Sequence, residues 1–370
     1  MKKILLISSS FPRHSEDASN AGRFVYDIAV ELQSIGYIVE VLTFSAYQDD
    51  DIKSHAIYGR KTAGVPISYI DVKTLIGIYT VCLAMFRGIV HGLRISRRLN
   101  PDFILCFWSI PSGIFAMLPL FLFKIPFYCW VLGSDILEAG RYPLGRQVNK
   151  LILRNAQGVF ADGVSLANQT ELLAGVSVSF LPSSRNLAKL EKQVDVKKGS
   201  EPYIATIARL HHHKGIDLLL RAYKICLAQN KNFPILKVFG DGPLAHELAN
   251  LSLDLGLAKK VKFEGLLKNE DLKSTIGNAE FIVIPSRQDS IPLVLGEACS
   301  FGRALVATDV GDMGVILRKH QAGFIAQPDE HSIAMEMLKC WENTNQKDPG
   351  LRAVAAELSF SKSISKITGL

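Results

Sequence analysis

"FIVIPSRQDSIPLVLGEACSFGRALVAT", residues 281–308, changes character three times in one short stretch. The apolar, β-branched run up to Ser286 reads as a buried strand. "RQDSI" (287–291) reads as a loop. Pro292 then reads as the first residue of a helix, where a missing N–H costs nothing and φ is already set. "ALVAT" (304–308) is the next strand. A strand, a helix and a further strand in this order predict a parallel pair joined by a right-handed crossover.

The same rhythm extends in both directions. In the second half, "YIATIARL" (203–210), "ILKVFG" (235–240) and "VKFEG" (261–265) are strands. Helices are expected over 215–229, with Ile216, Leu219, Leu220 and Tyr223 at helical spacing, and over 243–256, 269–277 and 330–343. In the first half, "KILLIS" (3–8) is a strand, 22–35 a helix and 38–44 a strand. Residues 74–99 form a helix, 103–133 a strand, turn, short helix and strand, and 146–156 a helix. Short strands at 158–163 and 176–182 enclose one more helix. Between the halves, "SSRNLAKLEKQVDVKKGS" (183–200) is polar and lacks apolar periodicity. The chain is therefore read as residues 1–183, a linker at 184–200, a second domain at 201–345, and a tail at 346–370, helical and returning to the first domain. The fold class is α/β: two doubly wound, Rossmann-like domains facing one another. Ligands in such sheets sit beyond the carboxyl ends of the strands, so a deep cleft between the domains is expected.

Composition limits the function. The chain has 370 residues, 48% hydrophobic and 21% charged, with a formal charge of +7. That balance supports folded cores and favours anionic partners. No Lys/Arg block with interleaved aromatics stands out, so nucleic acid is not expected. The six cysteines form no C-x-x-C pair and lie mostly in apolar surroundings, which suits buried thiols in the cytoplasm. The opening "MKKILLISSSFPR" has too short an apolar run for a signal-peptide core. Residues 103–133 carry one charge, Lys124, but Pro111, Pro119 and Pro126 interrupt them; a buried layer element is expected there, not a membrane span.

Asp289 and Glu297 lie eight residues apart, one in the loop and one two turns into the helix. The N–H groups at the helix start, about Pro292, Leu293 and Val294, together with the helix dipole suit a phosphate. Glu297 on the inner face would accept hydrogen bonds from a diol such as a ribose, with Asp289 near sugar hydroxyls. Taken alone, the pair also fits a solvated loop acid and an exposed helix acid. "IARLHHHKGID" supplies Arg209 at a strand end and Lys214 in the following loop, two cations suited to a diphosphate; by themselves they also fit an ordinary surface. His211–His213 are read as a solvated loop and Asp241 as a turn residue. Gly240 and Gly242 leave room for a nucleotide against the backbone. Asp49–Asp51 are read as a solvated charge run. No D-x-D metal site stands out, and neither a metal nor an organic cofactor is expected.

The ordered set "ARL…KGID", "GDGP", "FEG", "SRQDSIPLVLGEACSFGRALVATDVG" and "GFIAQPDE" resembles the donor-binding half of retaining GT-B glycosyltransferases of family 4, over residues 203–330. The resemblance implies Glu297 on the donor ribose, Asp289 at the donor sugar, and Arg209 with Lys214 on the diphosphate. It implies a retaining hexosyltransferase acting in cell-surface polysaccharide synthesis. The first half matches more loosely: Gly22 stands at the first loop–helix junction, where the family often has Gly-Gly, and the resemblance implies a donor-binding role in which its backbone approaches the diphosphate or acceptor. Trp108 and Leu132 stand where family segments more often carry histidine. Asp135 and Trp108 are the acceptor-side candidates. Asp289 is one methylene shorter than the family's usual Glu.

For mechanism, same-face attack is favoured, the leaving diphosphate taking the acceptor's proton while Arg209 and Lys214 hold it. Expected partners are a nucleotide-diphosphate sugar and a glycan or lipid-linked acceptor. The 74–99 helix gathers Arg87, His91, Arg94, Arg97 and Arg98 late in its length. It fits either a peripheral contact with an anionic membrane surface at the inner face of the cell membrane or a core helix whose arginines complement its dipole. A nucleotide-sugar epimerase and a catalytically inactive nucleotide-sugar-binding protein are the alternatives.

Overall fold

The computed structural model describes residues 1–15, 17, 22–44, 46–57, 74–190, 201–344 and 348–370. It divides into two units, Met1–Pro182 with Ile364–Leu370, and Ser183–Ser363.

The first unit runs β1 (Lys3–Ser8), α1 (Arg23–Ser34), β2 (Ile38–Thr43), β3 (Lys53–Ala56), α2 (Leu75–Leu99), β4 (Phe103–Phe107), α3 (Ile114–Phe123), β5 (Phe127–Val131), α4 (Ser134–Leu137), α5 (Pro143–Asn155), β6 (Gly158–Ala161), α6 (Val164–Ala174) and β7 (Val178–Phe180). Its seven strands are ordered β3-β2-β1-β4-β5-β6-β7. Every pairing is parallel. One face of the sheet buries Leu5, Ile104, Cys106 and Cys129 with Phe115 of α3 and Ile152 of α5. On the other, Phe24 of α1 meets Phe107 and Trp130 edge-on, at 5.6 and 6.0 Å.

The second unit runs β8 (Tyr203–Ile207), α7 (Ile216–Gln229), β9 (Ile235–Phe239), α8 (Ala245–Asp254), β10 (Val261–Gly265), α9 (Leu272–Asn278), β11 (Ile282–Ile284), α10 (Leu293–Ser300), β12 (Leu305–Thr308), α11 (Met313–Lys319), β13 (Phe324–Ala326), α12 (Glu330–Glu342) and α13 (Gly350–Glu357), followed by α14 (Phe360–Thr368). The six strands are ordered β10-β9-β8-β11-β12-β13, again all parallel. Leu219 and Tyr223 of α7 and Ile333 and Met337 of α12 pack with Leu236 and Val238 in its core. In both sheets the order reverses beside the unit's first strand, at β1/β4 and at β8/β11. Helices leave on opposite sides there, which opens a crevice at the carboxyl ends of the strands.

Several expectations change. The 103–133 segment folds as β4, α3 and β5, but α3 is not a buried element: Leu118, Phe121 and Leu122 are exposed, because its partner α2 covers only one side. Asp49–Asp51 are not simply a solvated run: Asp51 accepts from Tyr26 Oη at 2.5 Å and Tyr47 Oη at 2.6 Å, and Asp49 accepts from Ser15 N at 2.6 Å. Burial and the Asp51 hydrogen bond push the Tyr26 phenol up to about 12. Within the stretch read as linker, Ser184 and Arg185 are buried in the second unit, and residues 191–200 lie outside the described residues. Of the tail, Gly350–Glu357 packs on α10, and Ile364–Leu370 groups with the first unit.

Gly22 opens α1 with φ 65°, and a Cβ there would lie 2.1 Å from the Ser10 carbonyl oxygen. A side chain at this loop–helix junction would therefore collide with the Ser10 backbone. Gly22→Ala is expected to cost about 1–3 kcal/mol through strain and overpacking; thermal unfolding followed by circular dichroism would show a lowered melting temperature, and an unchanged one would contradict the geometry.

Candidate functional site

The β8/β11 crevice gathers most of the residues the sequence singles out. After β8 the chain passes Arg209 and is gripped by the turn that follows β9. Leu210 N donates to the Asp241 carbonyl (2.9 Å), and Leu244 N donates to the Leu210 carbonyl (3.1 Å). A Cβ on Gly240, whose φ is 134°, would sit 1.8 Å from the Ala208 oxygen, and one on Gly242 would sit 2.4 Å from the Leu210 oxygen. A side chain at either glycine would therefore collide with the chain's own backbone. The two glycines brace the backbone on either side of Arg209. The Arg209 side chain is exposed at the residue level, yet partial desolvation pulls its guanidinium below its ordinary value; it stays charged at any working pH.

The loop continues through a tight turn at His212–Lys214. The rings of His211 and His213 stack at 4.9 Å. The His213 carbonyl accepts Arg287 N (2.8 Å) and Gln288 N (3.2 Å), which ties this loop to the one after β11. Arg287 also forks onto Asp217 of α7 with two bonds of 2.6 Å. This tie delivers Asp289 to Lys214: Lys214 Nζ donates to Asp289 Oδ2 at 2.6 Å, and Ser286 Oγ donates to the same oxygen at 2.7 Å. Loop acid and loop cation are thus one ion pair.

Pro292 is the N-cap of α10, not its first helical residue, with extended backbone at φ −69° and ψ 142°. Proline has no N–H, so the donors at this helix start begin at Leu293 and continue with Val294. Ser290 Oγ, two residues before the cap, is buried with no hydrogen-bond partner among the described residues. Two turns into α10, Glu297 is 5% exposed. Its Oε1 accepts from Arg185 Nη1 at 3.4 Å, and Arg185 Nη2 donates to Asn269 Oδ1. Arg185 is the residue that sequence reasoning missed. It lies in a polar stretch without periodicity, and the only signal was an isolated Arg directly after "LPSS".

The first unit's crevice, β1/β4, holds Trp108. Its φ of 64° with ψ 129° is a strained conformation for a non-glycine residue. The next residue is anchored from below by Asp135, whose Oδ2 accepts from Ser109 N (2.8 Å) and Ser109 Oγ (3.1 Å). Its Oδ1 accepts from Leu132 N (3.2 Å) and Gly133 N (3.1 Å), and Asn149 Nδ2 donates to its carbonyl at 2.7 Å. Asp135 is buried, and burial pushes its carboxyl up, against the hydrogen bonds from Ser109 and Leu132. Both oxygens are spent on the loops, so Asp135 is a support for the strand end and not an open acceptor-side group. Among the described residues no cluster of three or more His, Cys, Asp or Glu is arranged to hold a metal.

The family model described as glycosyl transferases group 1 matches residues 188–350, within the second unit. The chain is 29% identical over 159 residues to the phosphatidylinositol N-acetylglucosaminyltransferase gpi3 subunit of Schizosaccharomyces pombe, a match covering 42% of this chain and 34% of that protein. It is 24% identical over 331 residues to the uncharacterized glycosyltransferase MJ1178 of Methanocaldococcus jannaschii, covering 88% of this chain and 85% of that one. The chain thus spans only about a third of the length of the first of these relatives. HepE of Anabaena, solved in complex with UDP, has the same GT-B fold: the TM-score is 0.73 at 17% identity, over 100% of this chain and 98% of that one.

The Arg287–Asp217 fork yields a pH prediction. Burial pushes the Asp217 carboxyl up, but the hydrogen bonds and charge of Arg287 outweigh it and hold the group below its ordinary value. The stabilisation is therefore fully present above the unfolded pKa of about 4 and is lost as pH falls through the depressed folded value. Asp217→Asn is expected to lower the melting temperature at pH 7, with the gap to wild type closing below about pH 4. A gap that stays constant with pH would argue against the fork. Arg185→Ala removes the buried cation beside Glu297 and is expected to cost about 3 kcal/mol in a denaturant titration.

Proposed function

We propose that the protein is a retaining, metal-independent glycosyltransferase, a reading supported by the match of residues 188–350 to the glycosyl transferases group 1 model. It moves a sugar from a nucleotide-diphosphate sugar to a glycan or lipid-linked acceptor, in cell-surface polysaccharide synthesis at the cytoplasmic face of the membrane. The observation that carries the reading is the β8/β11 crevice. There Arg209 and Lys214 sit on one loop, Asp289 is drawn to Lys214, and α10 begins beside the buried, unsatisfied Ser290 hydroxyl. A diphosphate supplies acceptor oxygens for Lys214, Arg209, the first N–H groups of α10 and Ser290 together. Glu297, buried on the same helix, is suited to the hydroxyls of a ribose.

The chemistry follows from charge. As the bond between C1 of the sugar and the phosphate oxygen breaks, negative charge grows on the leaving diphosphate, and two fixed cations stabilise it. The acceptor hydroxyl attacks C1 from the face the diphosphate is leaving, and its proton passes to a phosphate oxygen. Asp289 already accepts from Lys214 and Ser286 through Oδ2. That engagement favours an orienting role at Lys214 and the donor sugar over a nucleophilic one. On the first unit, half-buried Trp108, at that unit's own switch point, is the candidate for contact with an acceptor sugar.

Calorimetric titration with UDP and GDP is the direct test. Arg209→Ala, Lys214→Ala and Glu297→Ala are each expected to weaken the preferred nucleotide at least about tenfold, the scale of a lost charge-assisted contact, without unfolding the protein. Wild-type affinity in all three variants overturns the site. Nucleoside diphosphate release that depends on acceptor membranes, persists in EDTA and leaves the anomeric configuration of the transferred sugar unchanged by NMR supports the transferase. An altered free nucleotide sugar instead indicates an epimerase, and binding without either indicates a non-catalytic receptor.

A further inference from the structure

We infer that Arg185 makes the donor site selective for ribonucleotides. It is a positioning residue that holds Glu297 as a fixed, charged acceptor for both hydroxyls of the ribose. The inference rests on the reading of Glu297 as the ribose group, and it adds the residue through which that group discriminates. Both side chains are buried, and both belong to the second unit.

Three segments meet at the guanidinium. Nη1 donates to Glu297 Oε1 of α10 at 3.4 Å, and Nη2 donates to Asn269 Oδ1 in the tight turn that precedes α9. The segment carrying Arg185 is itself tied down. Ser184 Oγ lies 3.5 Å from Ser363 Oγ, both buried, and Leu187 N donates to the Arg185 carbonyl at 3.0 Å. The loop after β10, which leads to Asn269, is held as well, because Gly240 N donates to the Gly265 carbonyl at 2.7 Å. One planar cation thus bridges α10 and the loop after β10 from a fixed backbone. A guanidinium can reach two acceptors in set directions; an ammonium is a single point charge.

The bridge acts on Glu297 in two ways. The first is charge. A carboxylate taken out of water protonates unless an opposite charge is near. Arg185 supplies that charge and is not deprotonated in proteins. An ionised carboxylate only accepts, and it has sites for about four hydrogen bonds, so two sugar hydroxyls can donate to it beside the guanidinium. The second is direction. A glutamate side chain turns about several torsions, and a cation anchored elsewhere pins its far end. The contact is longer than the roughly 2.7–2.9 Å of a strong charge-assisted bond, so Arg185 steers the carboxylate without saturating it. Removing the 2′-hydroxyl of the ligand then leaves a buried, oriented acceptor short of a donor. A site built to bond a hydroxyl rejects the analogue that lacks it.

Calorimetric titration of the full chain with three probes tests this: whichever of UDP and GDP binds more tightly, its 2′-deoxy counterpart, and inorganic pyrophosphate. The wild type is expected to prefer the ribonucleotide by at least about tenfold, the scale of one lost hydrogen bond to a charged group. Arg185→Lys keeps the charge but cannot span both partners. Asn269→Ala cuts the far arm and leaves Arg185 in place; Asn269 is half-buried, so this variant carries the test should the lysine variant fail to fold. Each should reduce the preference at least about threefold, a share of that same bond, and leave pyrophosphate affinity at the wild-type value. Equal weakening of all three probes marks a merely structural role and overturns the inference. So does full ribonucleotide preference in Arg185→Lys, or in Asn269→Ala if only that variant folds, when Glu297→Ala has lost it; the reading of Glu297 then stands alone. A wild type that binds ribo and deoxy forms alike, or a Glu297→Ala variant that keeps the preference, overturns that reading and the inference with it.

Discussion

The chemistry of the second unit depends on the reversal of strand order between β8 and β11. Parallel strands fed by right-handed crossovers send helices to opposite faces at that point, and the loops that leave β8 and β11 part company there. The parting loops are then pulled back toward each other by the His213 carbonyl, which accepts two backbone N–H groups from the β11 loop. Without that tie, Lys214 and Asp289 would sit on separate loops with no reason to meet. With it, they close to 2.6 Å.

Each acid of the 289/297 pair has a cation of its own. Asp289 has Lys214 in a partly solvated setting, and Glu297 has Arg185 in a dry one. The difference in burial sets what each pair can do. The partly solvated pair is the cheaper of the two to open, because water can replace the lost contact. The buried pair is costly to break and acts as a fixed support for the helix face that carries Glu297. In the first unit Asp135 plays the supporting part. It gathers donors from two loops around the strand end that carries Trp108 in its strained conformation, so the surrounding network holds what the local backbone disfavours.

The glycines show what a local motif leaves out. "GDG" marks a close approach, and the structure supplies one neighbour: a Cβ at either glycine would meet the carbonyl of Ala208 or Leu210. The sequence says that a close approach occurs without saying what approaches. The apolar character of α3 was misread. Its composition matches a core helix, and only the number of elements packed on it decides that four of its large side chains face outward.

The sequence by itself determined the alternation of strands and helices, the parallel doubly wound class, the break near residue 183, and the residues worth watching in 203–300. These follow from periodicity and from proline and glycine placement, which are properties of a few consecutive residues. Tertiary structure alone decided the partners: Lys214 with Asp289 across 75 residues, and Arg185 with Glu297 across 112. Charge pairing has no signature in local spacing. It is set by which loops the sheet topology brings to one edge, and so only the folded chain could assign Arg185 to the site and Asp135 to its supports.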